Sequence, residues 1–166
     1  TLWHTLSLHD ALPIWAVAAE GSTYLRLSEQ ANDEAVGAGP IGIGVVRCGS
    51  AGAPTVLAVG PMLDTVREAV ADMDATVLYS NVPHPLDGPA LAEETSGTEV
   101  VVVEPYLEGT SAHAVSHALA ARPHRLRCIG FPRTEHRRYG RPEEHLAAHG
   151  LDVAGVRRRI SSFLSG

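Results

Sequence analysis

"TEVVVVEPYLEGTSAHAVSHALAA", residues 98–121, passes from one kind of order to another within a single run. Val100 to Val103 are consecutive and β-branched, so "TEVVVVE" (98–104) reads as a strand. Its apolar residues do not alternate with polar ones, which points to a strand covered on both faces. "GTSAHAVSHALAA" (109–121) then places small and apolar residues at helical spacing and predicts a helix. A buried strand feeding a helix is half of a crossover unit.

The same rhythm repeats on either side. Upstream, "TVLAVG" (55–60) is a short apolar strand, and Pro61 suits the first position of a helix. Met62, Leu63, Val66, Val70 and Met73 fall on one face of that helix. "TVLYS" (76–80) is again a strand, and Asp87 in "PLDGPALAEET" is placed to cap the next helix. Downstream, "HRLRCIG" (124–130) is a strand, and "PEEHLAAHG" and "DVAGVRRRISSFL" are closing helices. Strands alternating with helices imply an α/β fold, its mainly parallel sheet clad in helices on both faces.

Before residue 55 the pattern loosens. "IGIGVVRC" (41–48) is a glycine-weakened strand, expected to turn at "GSAGAP" and pair with 55–60 as a hairpin. "STYLRLS" (22–28) alternates like a strand but stands alone before the linker-like "EQANDEAVGAGP". "TLSLHDALPI" (5–14) differs in style from the remainder and is similar to the translation of a DNA-sequencing adapter in one frame. Residues 1–14 carry no Arg or Lys and Asp10 interrupts their apolar run, so they do not read as a secretory signal. The expected organisation is a non-native 1–14, a strand remnant over 15–30, a linker and first hairpin strand over 31–54, and an α/β domain over 55–166. The segment 15–30 is expected to be frayed, lacking its native sheet neighbours.

Composition excludes several classes. The chain has 166 residues, 45% hydrophobic and 19% charged, which suits one globular domain with a real core. A net charge of −6 argues against a general nucleic-acid binder, although all 13 basic residues are arginine. No apolar run approaches the roughly 20 residues of a membrane helix. Cys48 and Cys128 form neither a disulfide framework nor a metal spacing, so a cytoplasmic setting is expected and both thiols are read as buried and inert.

Candidate chemical motifs are weak. "GAGPIG" (37–42) fits G-x-G-x-x-G, but no strand precedes it and no helix starts in it, so it is read as a linker. His113 and His117 lie four apart on the predicted helix, a spacing that zinc would accept, but no third ligand follows from the sequence. Glu104 is near in sequence yet ends a strand. His84, His124, His136, His145 and His149 have no ligand spacing. Ser111 and Ser116 lack the strained turn of a catalytic serine. Arg122, Arg125, Arg127, Arg133, Arg137, Arg138 and Arg141 form a basic cluster interrupted by Glu135, suited to phosphate, to an acidic subunit face or simply to solvent.

The order of these pieces resembles the C-terminal domain of the transketolase family, from about Gly21 to Phe163. "GSTYLRLSEQ" is similar to the end of the family's central pyrimidine-binding domain. "TVLAVGPMLDTVREAV" resembles the first strand and helix of the C-terminal domain, "HPLD" its P-L-D turn, "VVVVEPYLEGTSAHAV" its V-x-V-E-E segment and "GLDVAGVRRRISSFL" its last helix.

The resemblance implies a three-layer α/β/α domain with a five-stranded mixed sheet, one strand antiparallel. It implies a parent enzyme that uses thiamine diphosphate and a divalent metal such as Mg to move two-carbon ketol units between sugar phosphates. In such enzymes the cofactor lies between the N-terminal and central domains of two subunits. The C-terminal domain supports the dimer and is inactive alone. No catalytic residue or metal ligand is therefore assigned here. The implied partners are a second copy or a separately encoded catalytic chain, with neither nucleic acid nor membrane. The resemblance extends equally to deoxyxylulose-phosphate synthases and to 2-oxo-acid dehydrogenase β-subunits, and a free-standing docking module is the alternative. Where the family has a phosphate-gripping arginine near "LSEQ", this chain has Glu29, leaving Arg26 as the candidate substrate-binding residue. The second acid of the E-E pair is Pro105.

Overall fold

A computed structural model describes residues 32–33, 42–82, 84–135 and 139–166. The segments 1–14 and 15–30, with Arg26 and Glu29, lie outside the described residues, as do His136, Arg137 and Arg138. The chain order is β1 (Ile43–Arg47), β2 (Thr55–Val59), a 3-10 turn (Gly60–Met62), α1 (Leu63–Ala69), β3 (Thr76–Ser80) and α2 (Gly88–Glu94). It continues with β4 (Glu99–Leu107), α3 (Ala112–Ala118), β5 (Arg125–Phe131), α4 (Pro142–Ala148) and α5 (Val153–Leu164).

The five strands form one sheet in the order β1-β3-β2-β4-β5. Strands β3, β2, β4 and β5 run parallel, and β1 runs antiparallel to β3. Successive strand residues point to opposite faces, and each face is sealed by helices. Val56, Ala58, Val77, Val101, Val103 and Ile129 pack against Leu63 and Val66 of α1 and Val156 and Ile160 of α5. Leu57, Leu78, Val100 and Val102 pack on the other side against Leu91 of α2, Val115 of α3 and Leu119. The expected three-layer, mixed five-stranded architecture is therefore the one observed.

The expected hairpin is not. Strand β1 skips β2 and pairs with β3, from Ile43 opposite Ser80 to Arg47 opposite Val77. Every residue of β2 is buried, so β2 requires parallel neighbours at both edges and helices on both faces. Strand β1 is suited to the sheet edge, with Val45 40% exposed. Arg47 fixes its place: the guanidinium donates to the carbonyls of Val70 (2.9 Å), Met73 (3.0 Å) and Ala75 (3.2 Å), along the chain from α1 to β3. The 49–54 segment therefore crosses the start of β3 instead of reversing on itself, and β1 belongs to the same sheet as 55–166.

Two helix starts follow the expected chemistry. The Asp87 carboxylate accepts from the Ala90 N–H (3.1 Å), and Asp152 does the same for Gly155 (3.0 Å). The helix expected over 109–121 is shorter, because Leu107 to Ser111 form a turn before Ala112.

Candidate functional site

Open parallel sheets present their ligand-facing loops at the carboxyl ends of the strands. Here that edge is built by Gly60 after β2, Asn81 after β3 and the β4–α3 turn. Glu104 lies in the last half of β4 and is completely buried. Its carboxylate accepts from the N–H of Gly109 (2.5 Å) and of Ser111 (3.0 Å). A buried carboxylate is tolerable only when its oxygens are paired in this way. Gly109 has φ +89°, a left-handed conformation that glycine adopts without strain. Glu104, near the His113–His117 pair in sequence, is the anchor that shapes this turn.

Ser111 is committed to the same structure. Its hydroxyl lies 3.0 Å from that of Tyr106. The pair orders the turn. Neighbouring polar groups are less satisfied. Among the described residues, Asn81 buries both polar atoms of its side-chain amide without a hydrogen-bond partner, as does Asn32 with its Oδ1. Asn32 otherwise donates to the Gly60 carbonyl (3.1 Å). Burial pushes the Tyr79 hydroxyl above its usual range, a shift that a hydrogen bond with Asn32 opposes. Such amides are exceptions to the rule that buried polar groups find hydrogen-bond partners.

A shallow groove of about 280 Å³ separates the turn before α2 from α3, lined by His84, Leu86, His113 and His117. The His113 and His117 rings stack at 6.3 Å. Their carriers are solvent-facing positions of α3, between the buried Val115 and Leu119. No three His, Cys, Asp or Glu side chains gather into a metal-holding group among the described residues. The described residues thus do not fit the metal–diphosphate pair that the family resemblance implies.

The thiols differ from expectation. Cys48 follows β1 and is exposed, because an edge strand leaves its end uncovered. Cys128 is partly buried, and burial, with repulsion from Glu104 and Glu108, pushes its pKa up to about 11.

The arginine cluster also resolves into separate jobs. Arg122 is structural, its guanidinium donating to the carbonyls of Ala92 (3.3 Å), Thr95 and Ser96 (3.2 Å) at the end of α2. Arg141 pairs with Glu144 at 3.8 Å. Arg125 and Arg127 occupy the first half of β5 and meet Arg158 and Arg159 of α5. In the sequence, "DVAGVRRRISSFL" reads only as a closing helix, and nothing in it joins its arginines to those of β5.

No family model matches the chain. It is 40% identical over 180 aligned positions to the "Uncharacterized 33.6 kDa protein in fasciation locus" of Rhodococcoides fascians, covering 96% of this chain and 57% of that protein. It is 36% identical over 114 positions to the 1-deoxy-D-xylulose-5-phosphate synthase of Acidovorax sp. (strain JS42), covering 64% of this chain and 17% of the synthase. The chain thus spans little more than half, or less, of the curated relatives it matches. Among solved structures, one described as "Split gene transketolase, inactive beta4 tetramer" superposes with a TM-score of 0.61 at 20% identity, covering 74% of this chain and 42% of that one. The transketolase of Campylobacter jejuni superposes at 0.52 and 18% identity, covering 79% of this chain and 20% of that one. The fold is that of a transketolase-like C-terminal domain.

Proposed function

We propose that this chain is the C-terminal part of a transketolase-like enzyme that moves two-carbon ketol units between sugar phosphates. Its own role is to support the dimer, and it is inactive alone. The observation carrying this reading is the fold shared with a split-gene transketolase chain, of which this chain covers 42%. The chemistry of thiamine diphosphate with Mg belongs, in this reading, to domains outside the described residues. Arg26 is the proposed contact to the substrate phosphate, replacing the arginine that Glu29 displaces. The domain boundaries at 14, 30 and 54, and a cytoplasmic location, belong to the same proposal. Among the described residues no helix is long and apolar enough to cross a membrane.

The carboxyl edge of the sheet, where the Asn81 amide finds no partner among the described residues, is the surface proposed to meet the catalytic domains. The likeness to a split-gene transketolase favours a second form of the reading, in which this domain is supplied on a chain separate from part of the catalytic machinery.

The test is to read the coding DNA upstream of Trp15, express the full product with and without residues 55–166, and assay ketol transfer. Cofactor-binding domains upstream, with activity and dimerisation lost on removing 55–166, are expected. Turnover by this chain alone would contradict the proposal. Absence of upstream cofactor domains, together with restoration of activity when the chain is added to a separate catalytic chain, would select the split form.

A further inference from the structure

Among the described arginines, most are committed to partners. Arg47 and Arg122 saturate backbone carbonyls, and Arg157 grips Asp72. Four others converge elsewhere, on a groove of about 420 Å³ between β5 and α5. Arg125 and Arg127 come from alternate positions of β5 and so project from the same face of the strand. Arg158 and Arg159 come from the middle of α5. Ser162 and the Phe163 ring complete the wall.

Gathering like charges is unfavourable unless something neutralises them. Glu99 stands 3.8 Å from Arg125, and Glu108 bonds Arg159. Arg127 and Arg158 make no hydrogen bond or ion pair among the described residues. The groove therefore holds two more cations than anions, in a chain whose net charge is −6. Its volume falls within the range of ordinary small-ligand sites.

The groove is also pre-shaped. Arg125 is held on three sides: by Glu99, by the Phe163 carbonyl (3.2 Å) and by the Phe163 ring, whose centroid lies 4.8 Å from the guanidinium carbon. That contact also places a cation at the end of α5, where the helix dipole favours one. A fixed guanidinium beside two uncommitted ones forms a fork for a tetrahedral dianion, and the aromatic ring offers a surface to an attached organic group.

We propose that this groove is a phosphate site, taking the phosphate of a small phosphorylated molecule on Arg127 and Arg158. Strand β5 is the outer strand of the sheet, and of the groove's arginines only Arg159 reaches the β4–α3 turn, through Glu108. The proposed phosphate contacts on Arg127 and Arg158 therefore do not depend on the proposed catalytic assembly. The test is titration of the chain with inorganic phosphate at constant ionic strength, following the arginine Nε–H signals by NMR. Saturable shifts of Arg127 and Arg158 are expected. Arg127→Ala with Arg158→Ala should weaken binding about tenfold or more, the loss expected when charged hydrogen bonds are removed. Arg127→Lys with Arg158→Lys, which keeps the charge and removes the fork, should also weaken it, and Arg141→Ala should not. Non-saturable shifts, equal weakening by Arg141→Ala, or undiminished binding in the lysine variant would overturn the proposal. So would displacement of phosphate by a glutamate peptide that binds more tightly, which would make the groove an acidic partner's docking face.

Discussion

Arg157 meets Asp72 through two hydrogen bonds of 2.6 Å each, fastening α5 to the segment that leaves α1. A third bond, from the same guanidinium to the Ala69 carbonyl at 3.2 Å, closes the end of α1. The Arg157 hydrogen bonds hold the Asp72 carboxyl below its ordinary value, and Asp72 in return raises Arg157. Both groups are solvent-exposed, so their pairing is a modest contributor to stability.

The pairing predicts a pH signature. A carboxyl whose folded pKa is depressed stabilises the fold above its unfolded value and loses that contribution as pH falls through the folded one. Asp74 behaves alike, because the Ser50 hydroxyl and N–H hold its carboxyl low. Thermal melts should show stability falling as pH drops below the ordinary aspartate value of 3.8. In a double-mutant cycle of Asp72→Asn and Arg157→Ala, the coupling should be present at pH 7 and vanish once Asp72 is protonated. Coupling that persists in acid would contradict the geometry.

Glu104 should behave as a structural acid. Glu104→Ala leaves the Gly109 and Ser111 N–H groups without their acceptor, in or beside the core. The expected loss is about 2–4 kcal/mol in a denaturant titration, with Glu104→Gln costing less because one oxygen remains. A neutral Glu104→Ala would show that water replaces the carboxylate there.

Two glycines separate backbone strain from crowding. Gly109 has open space around it, so Gly109→Ala meets only the penalty of φ +89°, about 1–2 kcal/mol. A Cβ on Gly155 would stand 2.5 Å from the backbone of Gly150, forcing α5 off the turn before it. Gly155→Ala should therefore be the more damaging variant in thermal melts. The reverse order would mean that α5 can shift freely.

The two thiols should react at very different rates. Cys48 is exposed, whereas Cys128 is partly covered and its thiolate is disfavoured up to pH about 11. At pH 8 a disulfide reagent should modify Cys48 rapidly and Cys128 slowly, with Cys48→Ser abolishing the fast phase. A fast phase surviving in Cys48→Ser would place Cys128 in a more open environment.

Much of this architecture is written in local pattern. Four valines in a row announce a strand covered on both faces, and Asp87 announces the start of α2. The partner of β1 is not local information. Arg47 finds its carbonyls at Val70, Met73 and Ala75, more than twenty positions along the chain, and only the assembled sheet makes β3 its neighbour. Arg127 and Arg158 are likewise distant in sequence and join because α5 folds back along β5. Glu104 was noticed, but a side chain that binds its own backbone a few residues on leaves no motif by which to recognise it.

Strand β1 reaches the sheet only at its rim, through a crossing loop and one antiparallel ladder. The four parallel strands and both cladding layers come from the chain after it. Nicking the 49–54 loop would therefore divide the molecule into a peptide and a receptor. The peptide's docking could be followed as intermolecular fragment complementation, with Arg47 as its latch.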